Sequence, residues 1–325
     1  MKEIGGYFEL HLDASRQLPY DGIYFNSGCS ALEYFLLNRK PCEVWLPEYI
    51  CPSLISVIKR VGTKLKWYAV DYQLNPIIDQ KVFSSKNIVV VIVNYFGIRS
   101  DLLKKYHQFR NLIIWDLSQA FYCKLPPENS GFYSPRKFFG IPDGGILLDS
   151  ALNTAMHLNL PTSNSVDKFL HLIKRIESGA AAGHEEFKNA NNLLGKEGMK
   201  LMSNLSKTLI RSIDFAKVAR QRLANYHTLH KSLSATNELL LPNHIKEAPM
   251  VYPYKLSNKK AIQLRAYLIR HSVFVATYWP FEKKAMFIHR SHILANSIIP
   301  LPIDQRYGHK EMLDIINLIG AMHKK

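Results

Sequence analysis

Three groups of residues in the first half of the chain carry side chains that could act together in one reaction. Lys137 lies in the stretch "SPRKFFGIPDGG", and Asp116 ends the apolar run of "LIIWDLSQ". The third group is a strand-to-helix turn formed by Ser27, Gly28, Cys29 and Ser30. Taken singly, each has an ordinary structural interpretation: a solvated lysine, a helix cap or structural ion pair, and a tight turn with an N-cap serine.

Taken together, the three groups match the needs of one cofactor, pyridoxal 5′-phosphate. The N-terminus of a helix offers free backbone N–H groups to a phosphate. A buried carboxylate favours the protonated form of a nearby pyridine nitrogen. A lysine amine forms a Schiff base with an aldehyde. We therefore predict Lys137 and Asp116 as catalytic residues and a phosphate site at Ser27, Gly28 and Cys29.

The pattern of elements predicts where these residues would lie. Up to about residue 150, apolar runs such as "NIVVVIVNYFG" and "GGILLD" alternate with helical patterns. This alternation predicts an α/β fold, with a mostly parallel central sheet between two helical layers. Ligands of such sheets bind at the carboxyl ends of the strands. The motif Ser30-x-x-Glu33 predicts a capping box at the start of the first helix.

Beyond residue 150 the helical pattern dominates, and a second unit follows. We predict a large domain over residues 1–240 and a small α+β domain over residues 241–325. The small domain is expected to contain a strand in "VFVATYWP", residues 273–280, between two helices.

Composition narrows the function classes. The chain has 325 residues, 47% of them hydrophobic. Its net charge of +16 favours binding of phosphorylated ligands, nucleic acid or anionic lipid. Lysine and arginine are scattered, and no nucleic-acid-binding motif is present. No apolar stretch is long enough to span a membrane, and the N-terminus "MKEIGGYFEL" has no apolar signal-peptide core. We expect a cytoplasmic protein without nucleic-acid or membrane partners. No metal is expected either, because the four cysteines and His157, His171 and His184 lack ligand spacing.

The motifs resemble one family, the DegT/DnrJ/EryC1/StrS sugar aminotransferases, which have the fold of fold-type I pyridoxal-phosphate enzymes. "FNSGCSALEYFL" is similar to the family's phosphate turn, and "WDLSQAF" to its Glu-Asp-x-Ala-Gln motif. Lys137 precedes Gly144 and Gly145 by the family's spacing between the Schiff-base lysine and a Gly-Gly pair. "VNYFG" resembles His-x-Phe/Tyr-Gly, with Asn94 at the histidine position.

The resemblance implies further site residues. Asp116 would pair with the ring nitrogen, Gln119 with the ring hydroxyl, and Ser134 with the phosphate. Tyr49, in "WLPEYICPS", is the candidate to stack on the ring, with Ile50 and Cys51 as alternatives.

The resemblance also implies a reaction and an assembly. The expected reaction moves an amino group from an amino acid to a nucleotide-linked keto sugar, as in surface polysaccharide biosynthesis, in a homodimer. The family's neighbour-subunit loop Gly-Tyr-Asn-Tyr-Arg-Met is missing before Met202, where "LLGKEGMKLMS" stands instead. Two alternatives remain open: a fold-type I enzyme that acts on amino acids alone, and a basic binding protein without catalysis.

Overall fold

Eight strands form the central sheet in a computed structural model, which describes residues 6–151, 159–280 and 288–323. The order across the sheet is β1-β8-β7-β6-β5-β2-β3-β4. Neighbouring pairs are parallel from β7 through β6, β5 and β2 to β3, while β8 runs antiparallel to both β7 and β1. The strands are β1 (Ile23–Phe25), β2 (Glu43–Pro47), β3 (Lys64–Val70), β4 (Pro76–Ile77), β5 (Ile88–Val93), β6 (Ile113–Leu117), β7 (Ser130–Tyr133) and β8 (Gly145–Leu148).

The sequence of the central strands explains their position. All six residues of β5 (IVVVIV) are buried, as are all five of β6 (IIWDL). β-branched runs buried on both faces are typical of strands covered by helices above and below. The predicted α/β class with a mostly parallel central sheet is therefore confirmed. β7, whose sequence is only "SGFY", and the two-residue β4 were not predicted.

Three helices connect the strands of this sheet: α1 (Gly28–Arg39), α2 (Pro52–Val61) and α3 (Asp101–Lys105). The predicted capping box at Ser30 and Glu33 is wrong. Ser27 is the N-cap, its Oγ accepts the N–H of Ser30 at 3.0 Å, and Glu33 pairs with Arg60 instead. The helix thus begins earlier than predicted, directly at the carboxyl end of β1.

Four helices follow the sheet: α4 (Val166–Ala182), α5 (His184–Lys196), α6 (Asn204–Arg211) and α7 (Phe215–Leu233). α4 is broken near its end by Gly179, whose φ of +84° lies in the left-handed region that glycine tolerates. The far end of α7, with Tyr226, Leu229 and Leu233, contributes to a second hydrophobic core.

That second core belongs to a smaller unit around an antiparallel pair, β9 (Tyr252–Lys255) and β10 (Ile298–Leu301). Its helices are α8 (Asn258–Arg270), α9 (Ile288–Ser297) and α10 (His309–His323). The strand predicted over residues 273–280 is wrong, because this segment is irregular. It places Trp279 against Tyr49 of the large sheet unit, with ring centroids 4.8 Å apart. The boundary after residue 240 stays a prediction.

Candidate active site

The carboxyl ends of five strands bring the predicted residues to one edge of the sheet, with the start of β8 between β1 and β7. β1 leads into α1, β2 into the segment before α2, and β5, β6 and β7 end beside them. Asp116 is the fourth residue of β6, and Lys137 lies in a short 3-10 turn (Pro135–Lys137) that follows β7. This is the edge at which open α/β sheets bind their ligands.

Lys137 and Asp116 are connected through a serine that the sequence did not single out. The Nζ of Lys137 donates a hydrogen bond to the Oγ of Ser118 at 2.9 Å. The backbone N–H of Ser118 donates to Oδ1 of Asp116, also at 2.9 Å. The predicted amine and carboxylate therefore lie in one hydrogen-bonded chain, and Ser118 fixes the direction of the lysine amine.

Burial dominates the electrostatics of Asp116, whose exposed fraction is 1%. Burial raises the pKa of this carboxyl group, and the nearby Lys137 cation together with hydrogen bonds from Ser118 only partly offsets that effect. A buried carboxylate is costly unless a cation meets it. A ligand with a protonated nitrogen at this position would thus stabilise the charged form of Asp116.

The start of α1 is packed directly onto the glycine pair that follows Lys137. The N–H of Gly144 donates to the carbonyl of Asn26 at 2.7 Å, and Ser27 and Gly144 form a parallel bridge. A Cβ on Gly145 would lie 2.1 Å from the carbonyl oxygen of Ser27. Glycine at this position is therefore a packing requirement of the turn.

The same turn presents the first N–H groups of α1 at the sheet edge. Ser27 Oγ accepts a hydrogen bond from the N–H of Ser30. The N–H of Cys29 lies in the first turn of α1, where N–H groups have no acceptor within the helix. At Gly28 a Cβ would meet only ordinary contacts, the nearest at 3.5 Å from Phe132. Its backbone conformation thus does not demand glycine, and its role at a phosphate stays a prediction.

Gln119 leaves a hydrogen-bond donor unused in the interior. Its Oε1 accepts the backbone N–H of Phe96 at 2.9 Å. Its Nε2 is buried and has no partner among the described residues. A buried donor without a partner costs free energy and is expected to be satisfied by a bound group.

Tyr49, the candidate for ring stacking, is already packed. Its ring stacks on Tyr95 with centroids 5.4 Å apart and also contacts Trp279, and burial raises the pKa of its hydroxyl. Ile50 is buried as well. Cys51, the third candidate, is half-buried and is the N-cap of α2. The stacking residue stays a prediction.

Ser134 and Arg136 both lie just before Lys137, but their surroundings differ. Ser134 lies directly after Tyr133, whose carbonyl oxygen is 3.7 Å from the Cβ position of Gly28, so it lies next to the start of α1. Its hydroxyl does not cap the turn that carries Lys137. The guanidinium of Arg136 donates to Asn191 of α5 at 2.9 Å.

Polar side chains and backbone groups hold the part of the loop that follows Lys137. Arg222 of α7, 1% exposed, and Gln305 both donate to the carbonyl of Phe138, at 3.2 and 2.9 Å. Further along, the carboxylate of Asp143 accepts the N–H of Ser203 at 2.9 Å. The position of Lys137 thus depends on α6, α7 and the smaller unit.

The segment before Met202, "LLGKEGMKLMS", folds onto its own chain. Lys200 accepts the N–H of Asn26, and Met202 donates to the carbonyl of Tyr24, each at 2.9 Å. Glu197 anchors the segment through ion pairs with Lys168 at 2.7 Å and Lys200 at 3.1 Å. Residues 197–202 therefore line the edge of β1.

The site fits pyridoxal phosphate by the chemistry of its donors. Asp116 is a buried carboxylate that a cation would stabilise, and Gln119 has a buried amide donor without a partner among the described residues. The first turn of α1 suits a phosphate. In the described part of the chain, no group of three or more histidine, cysteine or acidic residues could hold a metal ion, and no helix is long and apolar enough to cross a membrane. His157 lies outside the described residues.

Solved structures share this fold. A DegT DnrJ EryC1 StrS aminotransferase from Brucella abortus aligns over 94% of this chain and 87% of its own, with a TM-score of 0.62 and 16% identity. The sugar aminotransferase CalS13 from Micromonospora echinospora aligns over 92% and 86%, with a TM-score of 0.62 and 13% identity. NtdA from Bacillus subtilis with bound cofactor PMP aligns over 94% and 74%, with a TM-score of 0.62 and 12% identity. No protein-family profile and no curated protein matches the sequence.

Sequence reasoning missed the residues that orient Lys137. Ser118 was visible only as part of the motif around Asp116, and a serine after a strand carries no signal of its own. In the sequence, Arg222 is not distinguished from the other basic residues of an amphipathic helix. Its burial depends on contacts with Phe138 and Met250, which are distant in sequence.

Proposed function

We propose that the protein is a pyridoxal-phosphate-dependent aminotransferase of the DegT/DnrJ/EryC1/StrS type. The observation that carries this proposal is the chain of hydrogen bonds from the Lys137 amine through Ser118 to the buried Asp116 carboxylate, at the ligand-binding edge of the sheet. The fold supports it, because solved structures with this fold include sugar aminotransferases.

Each residue of the site would have a separate task in holding the cofactor. Asp116 would face the ring nitrogen, where its negative charge favours the protonated ring. The unpartnered Nε2 of Gln119 would donate to the ring hydroxyl. The first turn of α1, with Ser27, Gly28 and Cys29, would receive the phosphate, and Ser134 lies beside it.

Lys137 is suited to both attachment and proton transfer. Pyridoxal phosphate, when bound, supplies an aldehyde that condenses with amines and a ring that withdraws electrons from the substrate carbon. Lys137 Nζ is the amine directed to this place, and Ser118 Oγ holds it through a hydrogen bond. Once released by the incoming donor amine, Nζ would take a proton from the donor's α-carbon and later return one.

We further propose that the acceptor is a keto sugar carried on a nucleotide, with an amino acid such as glutamate as donor. The net charge of +16 favours an acceptor that carries a diphosphate. Such a product would serve surface polysaccharide biosynthesis in the cytoplasm. We also expect a homodimer, since sites of fold-type I enzymes are usually completed by a second subunit.

The two half-reactions test the assignment. Glutamate added to protein loaded with pyridoxal phosphate should remove the visible absorbance, and a nucleotide-linked keto sugar should restore it. Restoration by 2-oxo acids alone, with no response to any keto sugar, would support the alternative enzyme that acts on amino acids. No spectral change with any amino donor would contradict amino transfer altogether.

Asp116→Asn tests the role of the carboxylate while keeping the side-chain shape. We expect the glutamate half-reaction to slow on the order of 10²–10⁴-fold, because proton transfer loses the electron-withdrawing protonated ring. Asp101→Asn is the matched control, since the Asp101 side chain is 60% exposed in a surface ion pair. An unchanged rate in Asp116→Asn would assign the ring nitrogen to another residue.

A further inference from the structure

The α4–α5 hairpin exposes more large apolar side chains than any other described part of the chain of similar length. Of the 16 such side chains that are exposed among the described residues, six lie in these two helices. They are Val166, Leu170, Ile173 and Ile176 of α4, and Phe187 and Leu193 of α5. Single exposed apolar residues are ordinary, but a concentration of them marks an interaction surface.

Four of these residues form a stripe along the exposed side of α4, which we call the α4 stripe. Val166, Leu170 and Ile173 are four and three residues apart, a spacing that places them on one face of a helix. Ile176 follows three residues later and is 82% exposed. The other side of α4 contacts the rest of the chain, since Lys168 is buried there in an ion pair. The α4 stripe is therefore left without a partner within the described part of the molecule.

The charge of the hairpin indicates which kind of partner it fits. The chain carries a net charge of +16, so two copies repel each other over most of their surfaces. Residues 166–196 hold five lysines and arginines against four aspartates and glutamates, which leaves a net charge of +1. Nucleic acid or an anionic lipid surface would select a strongly basic face. A nearly neutral apolar face is instead where a second copy of this chain can approach with little repulsion.

The exposed apolar area is sufficient for a weak dimer. Burying one apolar side chain removes roughly 60–120 Å² from water, if about 1.5–3 kcal/mol is gained at about 25 cal/mol per Å². Weighted by their exposed fractions of 43–82%, the six side chains offer on the order of 300 Å² per copy. Since slightly more than half of an interface is apolar, two copies would bury about 1,000 Å² in total. This area is the lower limit for a specific interface.

We propose that two copies of this chain associate through the α4–α5 hairpin, with the α4 stripe of one copy packed on that of the other about a two-fold axis. In a two-fold interface the same patch serves both subunits, so one apolar stripe is complementary to itself. Because the interface is small, monomer and dimer should exchange with protein concentration. The proposal assigns a surface to the homodimer expected above, and it does not depend on the aminotransferase assignment.

Sedimentation velocity over a series of protein concentrations, without cofactor, tests the proposal. The wild type should change from monomer to dimer as the concentration rises. In Leu170→Glu a carboxylate of each copy would be buried against the apolar stripe of the other, so the dissociation constant should rise on the order of 10²-fold. Leu313→Glu on α10 is the matched control, because Leu313 is 42% exposed and Leu170 is 48% exposed. This control should dimerise like the wild type.

A second variant shows whether the whole stripe takes part. Val166→Glu, at the start of α4, should weaken the dimer as Leu170→Glu does. Urea unfolding at low protein concentration should leave both variants as stable as the wild type, because both side chains are exposed. Loss of the dimer would then not result from misfolding.

Three outcomes would overturn the proposal. The first is a wild type that stays monomeric at all concentrations. The second is a dimer that neither glutamate variant weakens, in which case the homodimer forms through another surface. The third is a monomer that co-sediments with vesicles of anionic lipid and loses this binding in Leu170→Glu, which would assign the hairpin to a membrane surface. None of these outcomes bears on the cofactor, which the half-reactions test separately.

Discussion

The loop that carries Lys137 and the helical hairpin of α4 and α5 are held in place by different means. The loop, residues 134–145, has almost no regular structure, yet hydrogen bonds from α7 and the smaller unit hold the carbonyl of Phe138, and the N-cap of α6 holds the carboxylate of Asp143. The hairpin is regular, but several apolar side chains remain exposed, with Ile176 at 82% and Val166 at 73%. Regular secondary structure is therefore a poor guide to which part of this molecule is tightly fixed.

The two regions meet at few points. Arg136 of the loop donates to Asn191 of the hairpin, and burial lowers the pKa of this guanidinium. The side chain of Leu172 lies 3.6 Å from the Cβ position of Gly140. We infer that changes in the loop disturb the site and the fold together, whereas changes on the outer face of the hairpin disturb neither.

The largest effect is expected for Gly145→Ala. The new Cβ would lie 2.1 Å from the carbonyl oxygen of Ser27 and 2.5 Å from the nitrogen of Gly28, so the start of α1 must move. We expect a loss of more than about 4 kcal/mol in the free energy of unfolding, measured by urea denaturation.

Gly140→Ala is the matched control in the same loop. Its Cβ would meet Leu172 at 3.6 Å, an ordinary contact, so little change is expected. Equal losses in the two variants would show that the turn at Ser27 does not pack on Gly145 as described.

A smaller loss is expected for Arg222→Lys. Lysine keeps the charge, but it cannot donate at once to Phe138, Met250 and Gln305 as the guanidinium does. The carbonyl of Met250 would lose the donor that Arg222 supplies, and the carbonyl of Phe138 would keep only Gln305, which should cost about 3 kcal/mol.

Arg220→Lys controls for the loss of an arginine from α7, because Arg220 is exposed. It should unfold like the wild type in urea. If Arg222→Lys were equally stable, the hydrogen bonds from Arg222 would not stabilise the fold, and the anchoring of the Lys137 loop would need revision.

At the end of the hairpin, a pH-dependent effect is expected from Glu197. Burial pushes its pKa up, but hydrogen bonds from Lys168, Lys200 and Ser163 outweigh that effect and lower the pKa to about 2. A carboxyl group with a lowered folded-state pKa stabilises the protein above its unfolded value and loses that contribution as pH falls.

The window for this loss runs from about pH 4.5 down to about pH 2. The midpoint temperature of thermal unfolding should therefore fall more steeply with decreasing pH in this window for the wild type than for Glu197→Gln. Parallel pH profiles for the two proteins would mean that Glu197 is not ion-paired in solution.

The smallest effect is expected for Ile176→Lys on the outer face of α4. With 82% of the side chain exposed, the change should alter the free energy of unfolding by less than about 0.5 kcal/mol. Thermal unfolding at low protein concentration measures this change in stability. A large loss of stability would show that another surface covers this face in solution.

The same contrast explains what the sequence could predict. The strands β2, β3, β5, β6 and β8 were predictable because each is an apolar run bounded by turns. That Lys137, Asp116 and the Ser27 turn lie at one edge of the sheet was predictable, because a parallel sheet brings strand ends together. Their roles at a cofactor stay a prediction.

The features that the sequence did not predict depend on contacts between residues distant in the chain. Residues 273–280 have the β-branched and aromatic composition of a strand, yet Trp279 instead packs on Tyr49 and Tyr95. Ser118 and Arg222 owe their roles to groups that lie near them only in the folded chain. Long-range contacts overrode local preference at both places.

Chemical trapping tests the central claim most directly. Protein incubated with pyridoxal phosphate is reduced with borohydride, digested and mapped by mass spectrometry, with Lys104→Ala as the control for an exposed lysine. The account predicts one dominant pyridoxyl-modified peptide, with the adduct on Lys137, and loss of that adduct in Lys137→Ala. A dominant adduct on another lysine, or undiminished labelling in Lys137→Ala, would contradict the assignment of Lys137 as the residue that holds the cofactor.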